Sequence, residues 1–145
     1  MNYNEEKKRY LSFCGSYCRT CDWHTGKIRK TAQAALDMIN EYEGFKRLFE
    51  GKVNVNKLTN GLKILAESGI CSGCKAEIKT DDRCKIRRCC FEKGFDLCSE
   101  CAEFPCETLK TNPGVIKFHC LVNLKEIEEI GLDAWIDKQW VEYTK

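Results

Sequence analysis

The chain has 145 residues, enough for one domain with a modest buried core, and its 24 basic and 22 acidic side chains leave a formal charge of +2. So even a balance argues neither for nor against a polyanionic partner. No segment approaches the roughly eighteen apolar residues of a membrane span. The outlier is cysteine, at 12 residues.

Taken in order, the N-terminal MNYNEEKKRYLSF lacks the apolar run and small-residue cleavage site of a signal peptide. A cytoplasmic, reducing location is therefore expected, where clustered cysteines point to metal and not to disulfides. Residues 5–12 suit a short polar helix. Cys14, Cys18 and Cys21 follow with C-x3-C-x2-C spacing, and Gly15 and Ser16 allow a tight turn between them.

From Thr25 the period becomes helical. Ile28, Ala32, Ala35, Leu36, Ile39 and Tyr42 form one apolar stripe, with Thr25 placed to cap it. Gly44 breaks this helix before a short piece over Phe45–Phe49, so helical structure is expected over about 25–50. A second amphipathic helix is predicted after Asn56, over 56–68, with Leu58, Leu62 and Leu65 inward and Gly69 as its stop.

The stretch from Cys71 to Cys106 carries the chemistry. Cys71/Cys74 and Cys98/Cys101 are Cys-x-x-Cys pairs, and Cys84, Cys89 and Cys106 complete the set. Each such turn aims two sulfurs at one point, and two turns make the tetrahedral thiolate shell that Zn²⁺ prefers. A short helix around Ile86–Lys93 should end at Gly94. Asn112 and Pro113 suit the cap and first position of a helix over 113–130, burying Ile116, Cys120, Leu124, Ile127 and Ile130. Gly131 ends it, and Asp133 can cap a last helix over 133–143 that packs Ala134, Trp135, Ile136 and Trp140. The expected fold is mainly α: a single small helical domain, 1–145, around a loop-rich cysteine segment with zinc-knuckle-like turns.

The candidate metal ligands are Cys14, Cys18, Cys21, Cys71, Cys74, Cys84, Cys89, Cys98, Cys101 and Cys106. At four thiolates per ion they suit about two Zn²⁺, which would bring the net charge to about −2. An iron–sulfur cluster is the alternative, since such shells bind both metals. The C-x3-C-x2-C spacing also occurs in radical S-adenosylmethionine enzymes, but those need a large barrel of strands and helices for which this chain is too short. Cys120, on an apolar stripe, reads as a buried structural thiol. Cys90 is ambiguous, because adjacent residues seldom both ligate one ion. His24 and His119 read as ordinary histidines.

Lys75, Lys79, Arg83, Lys85, Arg87, Arg88 and Lys93 make the segment locally basic, but Glu77, Asp81, Asp82 and Glu92 dilute the patch. Thiolate sites need cations and N–H donors around them, so that role is favoured over a nucleic-acid surface. No Gly-rich phosphate loop, nucleophile elbow, HExxH or paired-carboxylate motif is present. No catalytic residue is assigned, and a protein-interaction or regulatory role is expected over an enzyme, with a thiol-based redox sensor as a further alternative. A protein partner is expected, nucleic acid is not favoured, and no membrane partner is expected.

The motifs CGSYCRTC (Cys14–Cys21), CSGC (Cys71–Cys74), CKIRRC (Cys84–Cys89) and CSECAEFPC (Cys98–Cys106), in this order, resemble domain of unknown function 3795, a bacterial and archaeal family. The resemblance runs roughly from Cys14 to Trp135, with the tail GLDAWIDKQ (Gly131–Gln139) included. Asp22-Trp23-His24 departs from the Pro and Tyr more usual there, and Cys90 and Cys120 lie outside the pattern. What the resemblance implies is zinc binding, with no activity attached.

Overall fold

The computed structural model describes residues 1–69, 71–76 and 83–145. Glu77, Lys79, Asp81 and Asp82 of the charged segment lie outside the described residues. The fold is mainly α, as the periodicity predicts. Its helices are Tyr3–Arg9 (α1), Lys27–Glu41 (α2), Phe45–Leu48 (α3), Val55–Glu67 (α4) and Lys85–Lys93 (α5). They continue with Glu107–Thr111 (α6), Pro113–Lys117 (α7), Cys120–Ile130 (α8) and Leu132–Tyr143 (α9). Among the described residues there is no strand, and one isolated bridge joins Leu11 to Tyr17.

The chain divides into two compact units, Met1–Cys21 with Ser72–Lys145, and Asp22–Cys71. In the second, α2 packs on α4 through the expected stripes. Ala32 is buried, and Ile28, Ala35, Leu36, Ile39, Leu58, Leu62 and Leu65 are half-buried. Tyr42 is the exposed residue that ends α2 and does not extend the stripe. Thr25 is not the cap: Gly26, with φ +80°, takes that position, and α2 starts at Lys27 with no side-chain cap. Asn54, two residues before Asn56, caps α4 by accepting from the Lys57 N–H at 3.0 Å, and the helix begins at Val55.

In the larger unit, α8 and α9 pack together with α1 against α9. Leu11, Leu109, Leu124, Trp135 and Ile136 are fully buried, and Tyr17 meets Trp135 edge to face at 5.8 Å between centroids. Glu6 is buried as well. Its carboxylate accepts from the Tyr17 hydroxyl at 2.6 Å and from the Arg19 guanidinium at 2.9 Å.

The predicted helix over 113–130 is two helices. Asn112 caps the first as expected, accepting from the Gly114 and Val115 N–H groups. The chain then turns at His119, in the left-handed region at φ +54°, and α8 starts on a new phase. Ile116, which an unbroken helix would align with Cys120, is therefore 60% exposed, while Val115 is buried. Ile130 at the end of α8 is also exposed. In α9 the N-cap is Gly131, with Asp133 in the first turn. Trp135 and Ile136 share the inward face with Trp140, and Ala134 falls on the opposite, exposed side.

Candidate metal centre

Two Cys-x-x-Cys motifs fold alike. Cys18–Thr20 and Cys98–Glu100 each form a 3₁₀ turn, closed by the N–H of Cys21 on the Cys18 carbonyl at 3.2 Å and of Cys101 on the Cys98 carbonyl at 3.1 Å. The second is a knuckle-like turn of the kind expected in the 71–106 segment. The Glu100 carboxylate fastens the second by accepting from the Leu97 N–H at 2.5 Å.

Long-range contacts bring the motifs together. The Cys98 N–H donates to the Phe13 carbonyl at 2.8 Å, which seats the second turn beside Cys14. On the other side, Asn123 of α8 donates its side-chain amide to the Gly15 carbonyl at 2.9 Å. Gly15 has φ +100°, and a Cβ there would lie 2.6 Å from the Cys120 carbonyl oxygen. Only glycine fits this approach, so the Cys14–Cys18 loop lies directly on the start of α8.

Two close approaches bring cysteines together. Cys90 Sγ and Cys98 Sγ are 3.4 Å apart, and the Cys14 loop lies against the Cys120 backbone at the start of α8. Ser12 Oγ also lies 3.3 Å from Cys14 Sγ. The neighbouring Cys120 thiol, with help from Ser12 and backbone amides, outweighs burial and lowers the Cys14 thiol to about 6. Cys120 is pushed up by Cys14 and by burial. Cys90 is lowered by its contact with Cys98, and Cys98 is raised in turn.

Cys89, Cys90, Cys98, Cys101 and Cys106 line a cavity of about 350 Å³, with Lys85, Arg88 and Lys93 among its polar walls and Phe95, Phe104 and Leu109 among its apolar ones. Lys93 lies 3.8 Å from Cys101 Sγ and 3.5 Å from the Glu103 carboxylate. Arg87 donates to the Cys74 carbonyl at 3.3 Å. Lys75 donates to the Lys7 and Asp96 carbonyls, both at 2.8 Å, over the Phe13 ring. Burial holds its amine down at about 8.

Not every candidate is gathered. Cys71 is exposed and closes the other unit, and Cys84 is exposed at the N-terminus of α5. Cys18 is buried and Cys21 and Cys74 half-buried. Among the described residues, which include all twelve cysteines, there is no disulfide, and no group of three or more Cys, His, Asp or Glu side chains is placed to hold an ion. Sequence reasoning left out Cys90 and Cys120, yet Cys90 Sγ stands 3.4 Å from Cys98 Sγ and Cys120 lies beside the Cys14 loop. A usable signal was the adjacency of Cys89 and Cys90. On a helix they point about 100° apart, so Cys90 turns into the core while Cys89 stays exposed.

The profile of the family described as "Protein of unknown function (DUF3795)" matches residues 10–111. The chain belongs to that family. The match takes in all four cysteine motifs and stops short of Cys120 and of the 131–139 tail. No curated protein and no solved structure gives a match.

Proposed function

We propose that the chain is a cytoplasmic zinc-binding module that works by engaging a protein partner and not by catalysis. Its thiolates hold about two structural ions, with ligands drawn from Cys14, Cys18, Cys21, Cys71, Cys74, Cys84, Cys89, Cys98, Cys101 and Cys106. The observation that carries this reading is the meeting of two cysteine motifs in one core, where the Cys98 N–H donates to the Phe13 carbonyl, next to Cys14, at 2.8 Å. Clustered thiolates are the donors that zinc takes in tetrahedral structural sites, so the donor chemistry suits that ion. Bound zinc would supply cross-links between segments far apart in sequence. Thiolate-only shells are closed and leave no position for substrate.

The cations around the cysteines fit the same reading. Lys93 reaches Cys101, and Arg87 holds the Cys74 carbonyl, which suits donors and counter-charges for thiolates better than a phosphate-binding surface. The exposed Ile116, Phe118 and Val122 offer a partner protein apolar contact. Elemental analysis of the purified chain should give about two zinc ions and no inorganic sulfide. Absence of zinc, or stoichiometric iron with sulfide, overturns the assignment.

One observation favours a second reading. Five cysteines line a cavity of about 350 Å³ without three of them converging on one ion. An iron–sulfur cluster spreads its four cysteines around several irons, so such spacing suits it. A brown colour after purification without oxygen would select this alternative.

A further inference from the structure

Cys90 lies on the inner face of α5 and is 3% exposed. A buried thiol alone is an ordinary core residue, but this one has a sulfur partner: its Sγ stands 3.4 Å from Cys98 Sγ. Backbone hydrogen bonds hold both residues. α5 ends at Gly94, whose left-handed φ of +72° reverses the chain, and the Phe95 N–H then donates to the Cys90 carbonyl at 2.9 Å. Cys98 is fixed from the far side, with its N–H on the Phe13 carbonyl at 2.8 Å.

Little movement separates this contact from a bond. Disulfide sulfurs stand about 2.05 Å apart, a gap that rotation about the two Cα–Cβ bonds can close. Both thiols also line the cavity of about 350 Å³, which has room beside them for a molecule the size of hydrogen peroxide. Cys101, the other cysteine of the second turn, has its Sγ beside Lys93 Nζ at 3.8 Å.

We propose that Cys90 and Cys98 are a redox-active thiol pair, which closes to a reversible disulfide when the chain meets a peroxide. The half-buried Cys98 sulfur attacks one oxygen of hydrogen peroxide. The O–O bond breaks, water leaves and Cys98 becomes a sulfenic acid. The Cys90 sulfur then attacks the Cys98 sulfur, the S–O bond breaks and a second water leaves. Two thiols thus give up two electrons and two protons, and one peroxide takes them up as two waters. A dithiol reductant restores both thiols by exchange. Transient disulfides of this kind are the ones that a reducing compartment allows. Cys98 is also a proposed zinc ligand, so the disulfide takes one donor from the ion. That consequence rests on the zinc-binding reading, whereas the disulfide does not.

The test is titration of the wild-type chain with hydrogen peroxide, then alkylation of the remaining thiols, tryptic digestion and tandem mass spectrometry. The expected result is one link between the peptides Cys89–Lys93 and Gly94–Lys110, assigned by its fragments to Cys90 and Cys98 and removed by dithiothreitol. No link, or a link from Cys98 to Cys101 or to any other cysteine, overturns the proposal. Zinc release, followed with a chromogenic chelator, should rise in step with the link. Zinc retained by the disulfide form overturns the coupling to metal, and a link formed in a chain that binds no zinc removes the zinc reading alone. In Cys90→Ser the oxidation of Cys98 should stop at the sulfenic acid, trapped there by dimedone. A Cys98 that stays unmodified in this variant counts against its place as the attacking thiol.

Discussion

The two units hold themselves together by different means. Asp22–Cys71 is a pair of long helices, 15 and 13 residues, joined along complementary apolar stripes. It contains one cysteine, at its end, and among its described residues only Ala32 and Val55 are buried hydrophobic side chains. The other unit has eleven of the twelve cysteines, no helix longer than 12 residues, and most of the fully buried side chains. Helices of that length are marginal alone. Regular pattern can hold the first unit, whereas the second depends on contacts between residues far apart in sequence. Eleven thiols at those contacts are the natural place for cross-links.

Removing metal should separate the two most sharply. Structural zinc can contribute on the order of 10 kcal/mol to folding. Chelation followed by hydrogen exchange should therefore deprotect the amides of Cys18, Cys98 and Cys101 by several orders of magnitude, with those within α2 and α4 changing far less. Equal loss of protection in both units would break the comparison.

A smaller effect is expected at Glu6, which ties α1 to Tyr17 and Arg19 inside the cysteine-bearing unit. Burial alone would raise its pKa, but hydrogen bonds from Arg19 and Tyr17 and the Arg19 charge outweigh it and hold the carboxyl below its usual range. Because the folded value is depressed, the stabilisation is present above the unfolded pKa of about 4.3 and is lost as pH falls through the folded value. Glu6→Gln should cost about 2 kcal/mol at neutral pH and flatten the acid limb of the melting temperature. An unchanged acid limb would show that Glu6 does not set it.

The smallest effect belongs to the helix pair. Gly61 sits inside α4 with no atom within 4 Å of where a Cβ would stand. Gly61→Ala should therefore stabilise by about 0.5–1 kcal/mol, read as a rise in melting temperature. A fall would mean that the α2–α4 packing needs the space.

By itself the sequence determined the helical class, the paired stripes of α2 and α4, the Asn112 cap, the end of α5 at Gly94 and the knuckle turn at Cys98. All of these depend on residues within a few positions of one another, where periodicity and capping chemistry act directly. Only the tertiary structure decided the break at His119, which rotates Ile116 outward, and the starting points of α2, α4 and α9, where a residue or two changes which side chain can cap. Only it set Cys90 against Cys98 and the Cys120 end of α8 against the Cys14 loop. Spacing rules register cysteines that are close along the chain. Residues 14 and 120 meet because Gly15 admits the α8 backbone at contact distance, a fact about packing that no local pattern of either segment contains.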